Sequence, residues 1–123
     1  MSDIQRFETS ARVSRVVICN NMVFLCGQTA DDRQLDIRGQ TKQALAKVDR
    51  LLAAAGTDRS RVLAVQIWLK DIGRDFAGMN EVWDAWTVPG AAPARATAQC
   101  DMGAPDVLVE FIVTASVAPV NGN

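Results

Sequence analysis

Neither histidine nor tyrosine occurs anywhere in the 123 residues, and these two absences remove much familiar chemistry. Without imidazole there is no Ser-His-Asp or Cys-His nucleophile arrangement, and the usual zinc sites lose their nitrogen ligands. Cysteine is scarce. Cys19, Cys26 and Cys100 form an odd set without a CxxC pair, which argues against a disulfide framework and for free thiols in a reducing compartment. No apolar run opens the chain: Met1 to Ser10 is polar, so neither a secretory signal nor a membrane span is expected, and a cytoplasmic location follows. Neither sign of charge is in surplus. With a net charge of -1 there is no electropositive field to gather phosphates, and nucleic acid is a disfavoured partner. Low-complexity stretches, internal repeats and long linkers are also missing.

What remains is ordinary globular composition, 49% hydrophobic and 22% charged. The length suits a single domain, residues 1–123, that folds without metal or disulfide. Any catalysis must come from carboxylates, arginine, lysine, hydroxyls, thiols and backbone amides.

Alternation of strand and helix patterns begins almost at once. Val13 to Cys19 and Met22 to Cys26 are apolar and β-branched and are separated only by Asn20-Asn21. That dipeptide tolerates positive φ and predicts a two-residue hairpin turn. From Asp36 to Gly56 the residues Ile37, Thr41, Ala44, Leu45, Val48, Leu51, Leu52 and Ala55 follow helical spacing, with Asp36 as cap and Gly56 as left-handed stop. Arg61 to Lys70 alternates, which predicts Leu63, Val65, Ile67 and Leu69 on one face and Val62, Ala64, Gln66 and Trp68 on the other. A second helix is predicted from Ile72 to Trp86, with Phe76, Met79, Val82, Trp83 and Trp86 as its core-packing stripe and Pro89 beyond its end. Ala94 to Gln99 and Val107 to Val117 complete the strands, and Ile4 to Glu8 adds one more if it pairs. The expected class is therefore α+β, in the order β-β-β-α-β-α-β-β, with one sheet carrying both helices on one face. Trp68, Leu108 and Ile112 would lie on the other face, and exposed apolar surface of that extent marks subunit contact.

Three places carry chemistry. Strand pitch sends Arg95, Thr97 and Gln99 to one side and Ala96, Ala98 and Cys100 to the other. A guanidinium holds a carboxylate by two parallel hydrogen bonds, so Arg95 is either an anchor for a small organic acid or a surface ion-pairing residue. Glu110 interrupts the apolar run from Val107 to Val113. It is either a structural partner of Arg95 or a backbone amide, or a proton acceptor, according to whether burial or a neighbouring cation dominates its pKa. Cys26-Gly27-Gln28 ends a strand with a glycine that admits close approach of a ligand or backbone. The Cys26 thiol is reactive if a cation lowers its pKa and inert if it is buried in apolar surroundings.

Cys26-Gly27-Gln28 after the hairpin, the helix start Asp36-Ile37-Arg38-Gly39-Gln40-Thr41, Pro93-Ala94-Arg95 and the Val109-Glu110 strand occur in an order and spacing that resembles the Rid family, also called YjgF, over residues 12 to 117. The resemblance implies a chorismate-mutase-like fold and a homotrimer with its sheets inward and ligand clefts between subunits. It also implies hydrolysis of small enamines and imines, such as 2-aminoacrylate and its imine form, to a 2-keto acid and ammonia, with no metal or organic cofactor. By the same resemblance Arg95 binds the substrate carboxylate, Glu110 positions and activates water, and Thr97 lines the cleft where some members have cysteine. Cys26 stands where the well-known deaminases carry serine, followed as expected by Gly27, and Asn80 falls where the family commonly has asparagine before an aromatic. Val13 replaces a cleft tyrosine, which leaves the substrate open, and the nearby Arg12 and Arg15 either favour a more acidic ligand or face solvent. Two other readings accompany this one: a trimer that binds a keto acid without turning it over, and a ribonuclease or translation inhibitor. The last must contend with the acidic balance and the missing histidine.

Overall fold

The computed structural model describes residues 3–117; Met1 and Ser2, the start of the polar N-terminal stretch, lie outside them. Its elements are β1 (Ile4–Thr9), β2 (Ser14–Cys19), β3 (Met22–Leu25), α1 (Ile37–Ala54), β4 (Val62–Leu69), α2 (Ile72–Trp86), β5 (Ala94–Gln99) and β6 (Val109–Ser116), with one turn of 3-10 helix at Arg59–Arg61. The strands form one mixed sheet in the order β1-β2-β3-β6-β4-β5. Among the described strands only β4 and β5 pair in parallel, as they must when a helix connects them and the chain returns in the same direction.

Local chemistry explains most boundaries. Asn20 and Asn21 sit at φ 53° and 63°, the left-handed pair that a two-residue hairpin needs, and Cys19 pairs Met22 across it. The Asp36 side chain accepts the Gly39 N–H at 2.9 Å to start α1. Gly56 ends it at φ 82°, its own N–H reaching the Ala53 carbonyl while Thr57 N–H returns to Leu52. Asp71 caps α2 through the Arg74 N–H.

The predicted apolar stripe of α1 is buried from Ile37 to Leu52, and Gln40 is buried with it. Gln40 was not anticipated, yet its amide is fully used. The two Nε2 hydrogens are shared among the carbonyls of Arg33, Leu35 and Asp106, and Oε1 accepts the Leu108 N–H, so one buried side chain pins two loops to the helix. Against α1 and α2 the sheet presents Val16, Val23, Leu25, Val65, Ile67, Leu69, Val109, Phe111 and Val113, all buried. The Phe111 ring stacks on Trp83 at 6.2 Å.

Three sequence readings are corrected. A register shift between Val62 and Ala64 reverses the alternation at the start of β4, so Val62 is buried and Leu63 exposed. An extra residue in one strand has this effect because side-chain direction has a period of two. The last strand begins at Val109, two residues later than expected, and Leu108 packs on the core instead of the open face. Phe76 leaves the buried stripe of α2 and is 40% exposed. On the open face Trp68 is exposed as expected, Phe24 joins it, and Glu110, Ile112 and Thr114, each part-exposed, alternate with the buried residues of β6.

Candidate functional site

Arg95 lies opposite Val65 in the β4–β5 ladder, and Val65 faces the helices. The guanidinium therefore points toward α2. There Asn80 Oδ1 accepts the Arg95 Nη1–H at 2.7 Å, and the rings of Phe76 and Trp83 lie 5.7 and 5.4 Å from Cζ. Phe76, Asn80 and Trp83 are four and three residues apart, one stripe of a helix, so the helical period alone aligns two aromatic faces and an amide along the arginine. Each cation–aromatic contact is worth about 0.5–2 kcal/mol according to its burial. Among the described residues no carboxylate lies within ion-pair distance of Arg95. The cation is oriented without being neutralised, and donors remain on Nε and Nη2. Thr97 shares this face, and its Oγ1 is buried with no hydrogen-bond partner.

Glu110 faces the other way. It pairs Trp68 on the open face and its carboxylate lies over Gly27: a Cβ there would stand 2.9 Å from Glu110 Cδ. The sequence suggested that a ligand or a second backbone approaches this glycine; in the protomer it is the Glu110 side chain that does so. No hydrogen bond or ion pair engages the carboxylate among the described residues. Cys26 is half-buried, and its Sγ accepts the Gln28 Nε2–H at 3.2 Å. Gln28 is itself buried, bonds Phe111 backbone to backbone in both directions, and keeps an unpartnered Oε1.

The expected residues therefore form two groups within one protomer. Arg95, Thr97 and Asn80 lie on the helix side at β5. Glu110 and Gly27, with Cys26 beside them in sequence, lie across β4 and on the opposite face. Arg95 and Glu110 are not an ion pair. The aromatic cradle of Phe76 and Trp83 was missed as a functional feature because its spacing is also that of core packing, although Asn80 between the two rings was the available signal.

Arg15, one of the cations near Val13, lies 3.8 Å from Glu8. Glu8 is gripped more closely by Arg50 of α1, at 3.0 Å. The Arg50 hydrogen bond is the main reason the Glu8 carboxyl titrates below its ordinary value. Lys47 lowers Asp31 in the same way, and Arg38, bridging α1 to α2, lowers Glu81. No three cysteine or carboxylate side chains gather as a metal site among the described residues, and no described helix is long and apolar enough to cross a membrane.

A family model described as endoribonuclease L-PSP matches residues 3–117. The chain is 40% identical over 114 residues to the RutC family protein YoaB of Escherichia coli (strain K12), covering 93% of this chain and 98% of the relative. Among solved structures it superposes with a TM-score of 0.92 on NMB1025 of Neisseria meningitidis, described as a member of the YjgF protein family, at 39% identity over 96% of this chain and 98% of the other. An uncharacterized protein of Pseudomonas aeruginosa gives 0.90 at 43% identity, over 93% and 98%. With nearly the whole described fold matched and the sheet order carrying two helices on one face, the chain belongs to the YjgF/Rid family, which includes the RutC family proteins.

Proposed function

We propose that this protein is a cofactor-independent hydrolase of small imines and enamines of the 2-aminoacrylate type, releasing a 2-keto acid and ammonia. The observation that carries the reading is Arg95: a guanidinium oriented by Asn80 and two aromatic rings, with no carboxylate partner among the described residues. Such a group is preorganised to take a substrate carboxylate by two parallel hydrogen bonds.

Since Glu110 and Arg95 face opposite sides of one sheet, a cleft that uses both draws them from two protomers. A homotrimer with open faces inward meets this requirement and also covers Phe24 and Trp68, which are 44% and 37% exposed. One protomer then supplies Arg95, Asn80 and Thr97, and its neighbour supplies Glu110, Gly27 and Cys26. With the carboxylate held, Glu110 accepts a proton from water as the oxygen attacks the imine carbon. Glu110 returns that proton to the nitrogen to give the neutral carbinolamine, then relays the hydroxyl proton to the amine as the C–N bond breaks, leaving the ketone and ammonia. The substrate is already electrophilic, so the protein contributes orientation and a positioned base.

The test generates the imine in situ with an amino-acid oxidase and follows ammonia release. Wild-type protein accelerates release, and Arg95→Ala loses about 2–4 kcal/mol of transition-state stabilisation, roughly 30- to 1,000-fold in kcat/KM. Normal Arg95→Ala activity would refute the assignment. Tight 2-keto acid binding without turnover of any imine would favour the non-catalytic binding trimer.

A further inference from the structure

Apart from the Arg95 region, α1, α2 and Arg59 line an open surface groove of about 260 Å³. Leu45, Val82 and Trp86 give it apolar walls, and Lys42, Asp49 and Arg59 bring charge to it. The charges are not equivalent. Asp49 is fully engaged, one oxygen taking Arg59 Nη2–H at 2.6 Å and the other Trp86 Nε1–H at 3.1 Å. Arg59 also donates to the Trp86 carbonyl and stacks over its ring at 5.4 Å. This network is closed, its two charges cancel, and it holds the pocket wall in shape. Lys42 stands outside it: its ammonium has no hydrogen bond or ion pair among the described residues. The groove thus combines an apolar floor, the edge of a fixed indole and one exposed, unpaired cation at its rim.

We propose that this pocket binds a small amphipathic monocarboxylate, with the carboxylate on Lys42 and the apolar body against Leu45, Val82 and the Trp86 ring. Charge complementarity selects an anion, since the lining carries Lys42 and Arg59 against Asp49 alone. Drug-sized ligands occupy sites of about 300–1,000 Å³, so this volume restricts the occupant to a compact acid. The site is separate from the one at Arg95. Phe76, Asn80 and Trp83 serve that arginine, whereas Val82 and Trp86 serve the pocket, and the two indoles meet at 5.4 Å.

The test titrates the full-length protein with 4-phenylbutyrate and follows the three tryptophan indole N–H resonances by NMR. The Trp86 signal is expected to shift saturably while that of Trp68, on the open face, stays in place. Lys42→Gln should weaken binding about three- to fivefold, the scale of a solvent-screened ion pair, and the uncharged 4-phenylbutan-1-ol should bind wild type comparably weakly. Ala46→Leu, at an exposed helix position lining the pocket, plugs it and should abolish the shift with the fold intact by circular dichroism. Arg95→Ala should bind the probe as wild type does. The proposal is overturned by the absence of a saturable shift, by undiminished binding in Lys42→Gln and Ala46→Leu, or by loss of binding in Arg95→Ala alone, which would put the acid at the other site.

Discussion

Gly27→Ala tests the role of Glu110 without touching its chemistry. A methyl group at residue 27 would overlap Glu110 Oε2, the atom nearest to it, and would stand 2.9 Å from the Glu110 carboxyl carbon. Comfortable contacts of a methyl group with such an atom are about 3.5 Å, so the carboxylate oxygen must retreat by more than about 1 Å. Gly27 is not among the residues at positive φ, so alanine adds no backbone strain there, and the carboxylate is the end of a flexible side chain that can swing aside. Misplacing a reacting group by about 1 Å costs on the order of 100-fold, which is about 2.7 kcal/mol in the barrier. In the oxidase-coupled ammonia assay kcat should therefore fall roughly 100-fold or more. The KM should stay within about twofold, because the carboxylate grip resides on Arg95, and the urea midpoint should correspond to less than about 1 kcal/mol of destabilisation. Glu110→Gln should fall by at least a comparable factor, and the double variant should be no worse than Glu110→Gln alone, because both changes disable one group. A Gly27→Ala enzyme within threefold of wild-type kcat, or additive losses in the double variant, would show that Glu110 does not act from the position it occupies over Gly27.

The other predictions concern the grip, the core and the response to acid. Asn80→Ala removes the one hydrogen bond that orients Arg95 and should weaken competitive inhibition by a 2-keto acid by about 1–2 kcal/mol, five- to thirtyfold. Asn80→Asp should weaken it further by pairing with the guanidinium, and equal inhibition of all three proteins would contradict the role given to Asn80. Leu52→Ala, at a fully buried position of α1, should cost about 3 kcal/mol by urea unfolding at fixed protein concentration; a loss below 1 kcal/mol would mean that the core collapses around the missing side chain. With no histidine in the chain, Tm should be nearly flat from about pH 5.5 to 7.5. Glu8, Asp31 and Glu81 are lowered by hydrogen bonds from Arg50, Lys47 and Arg38. Their stabilisation is therefore present above the unfolded carboxylate range near pH 4 and is lost as pH falls through the lower folded values. Thermal scans across pH check the sign, and a Tm transition centred near pH 6 would contradict it.

The amino-acid sequence by itself determined what is local. Asn20-Asn21 specified a hairpin, Asp36 and Gly56 bounded a helix, and the alternation around Arg95 and Glu110 placed each on a strand, because caps, turns and side-chain period depend on a few neighbouring residues. The odd residues were legible for the same reason: an arginine beside small residues and a carboxylate within an apolar run stand out against their own strands. Tertiary structure decided what those side chains meet. Whether Arg95 and Glu110 share a face depends on strand order and register, fixed by contacts far apart in sequence, and the mixed sheet puts them on opposite sides with β4 between. The register shift at Val62 exchanged two side chains that simple alternation had assigned. Phe76, Asn80 and Trp83 became the cradle of Arg95 only because the β4-α2-β5 crossover lays that helix stripe across the arginine. A helical period fixes which residues lie on one face, but packing against the sheet decides what that face holds.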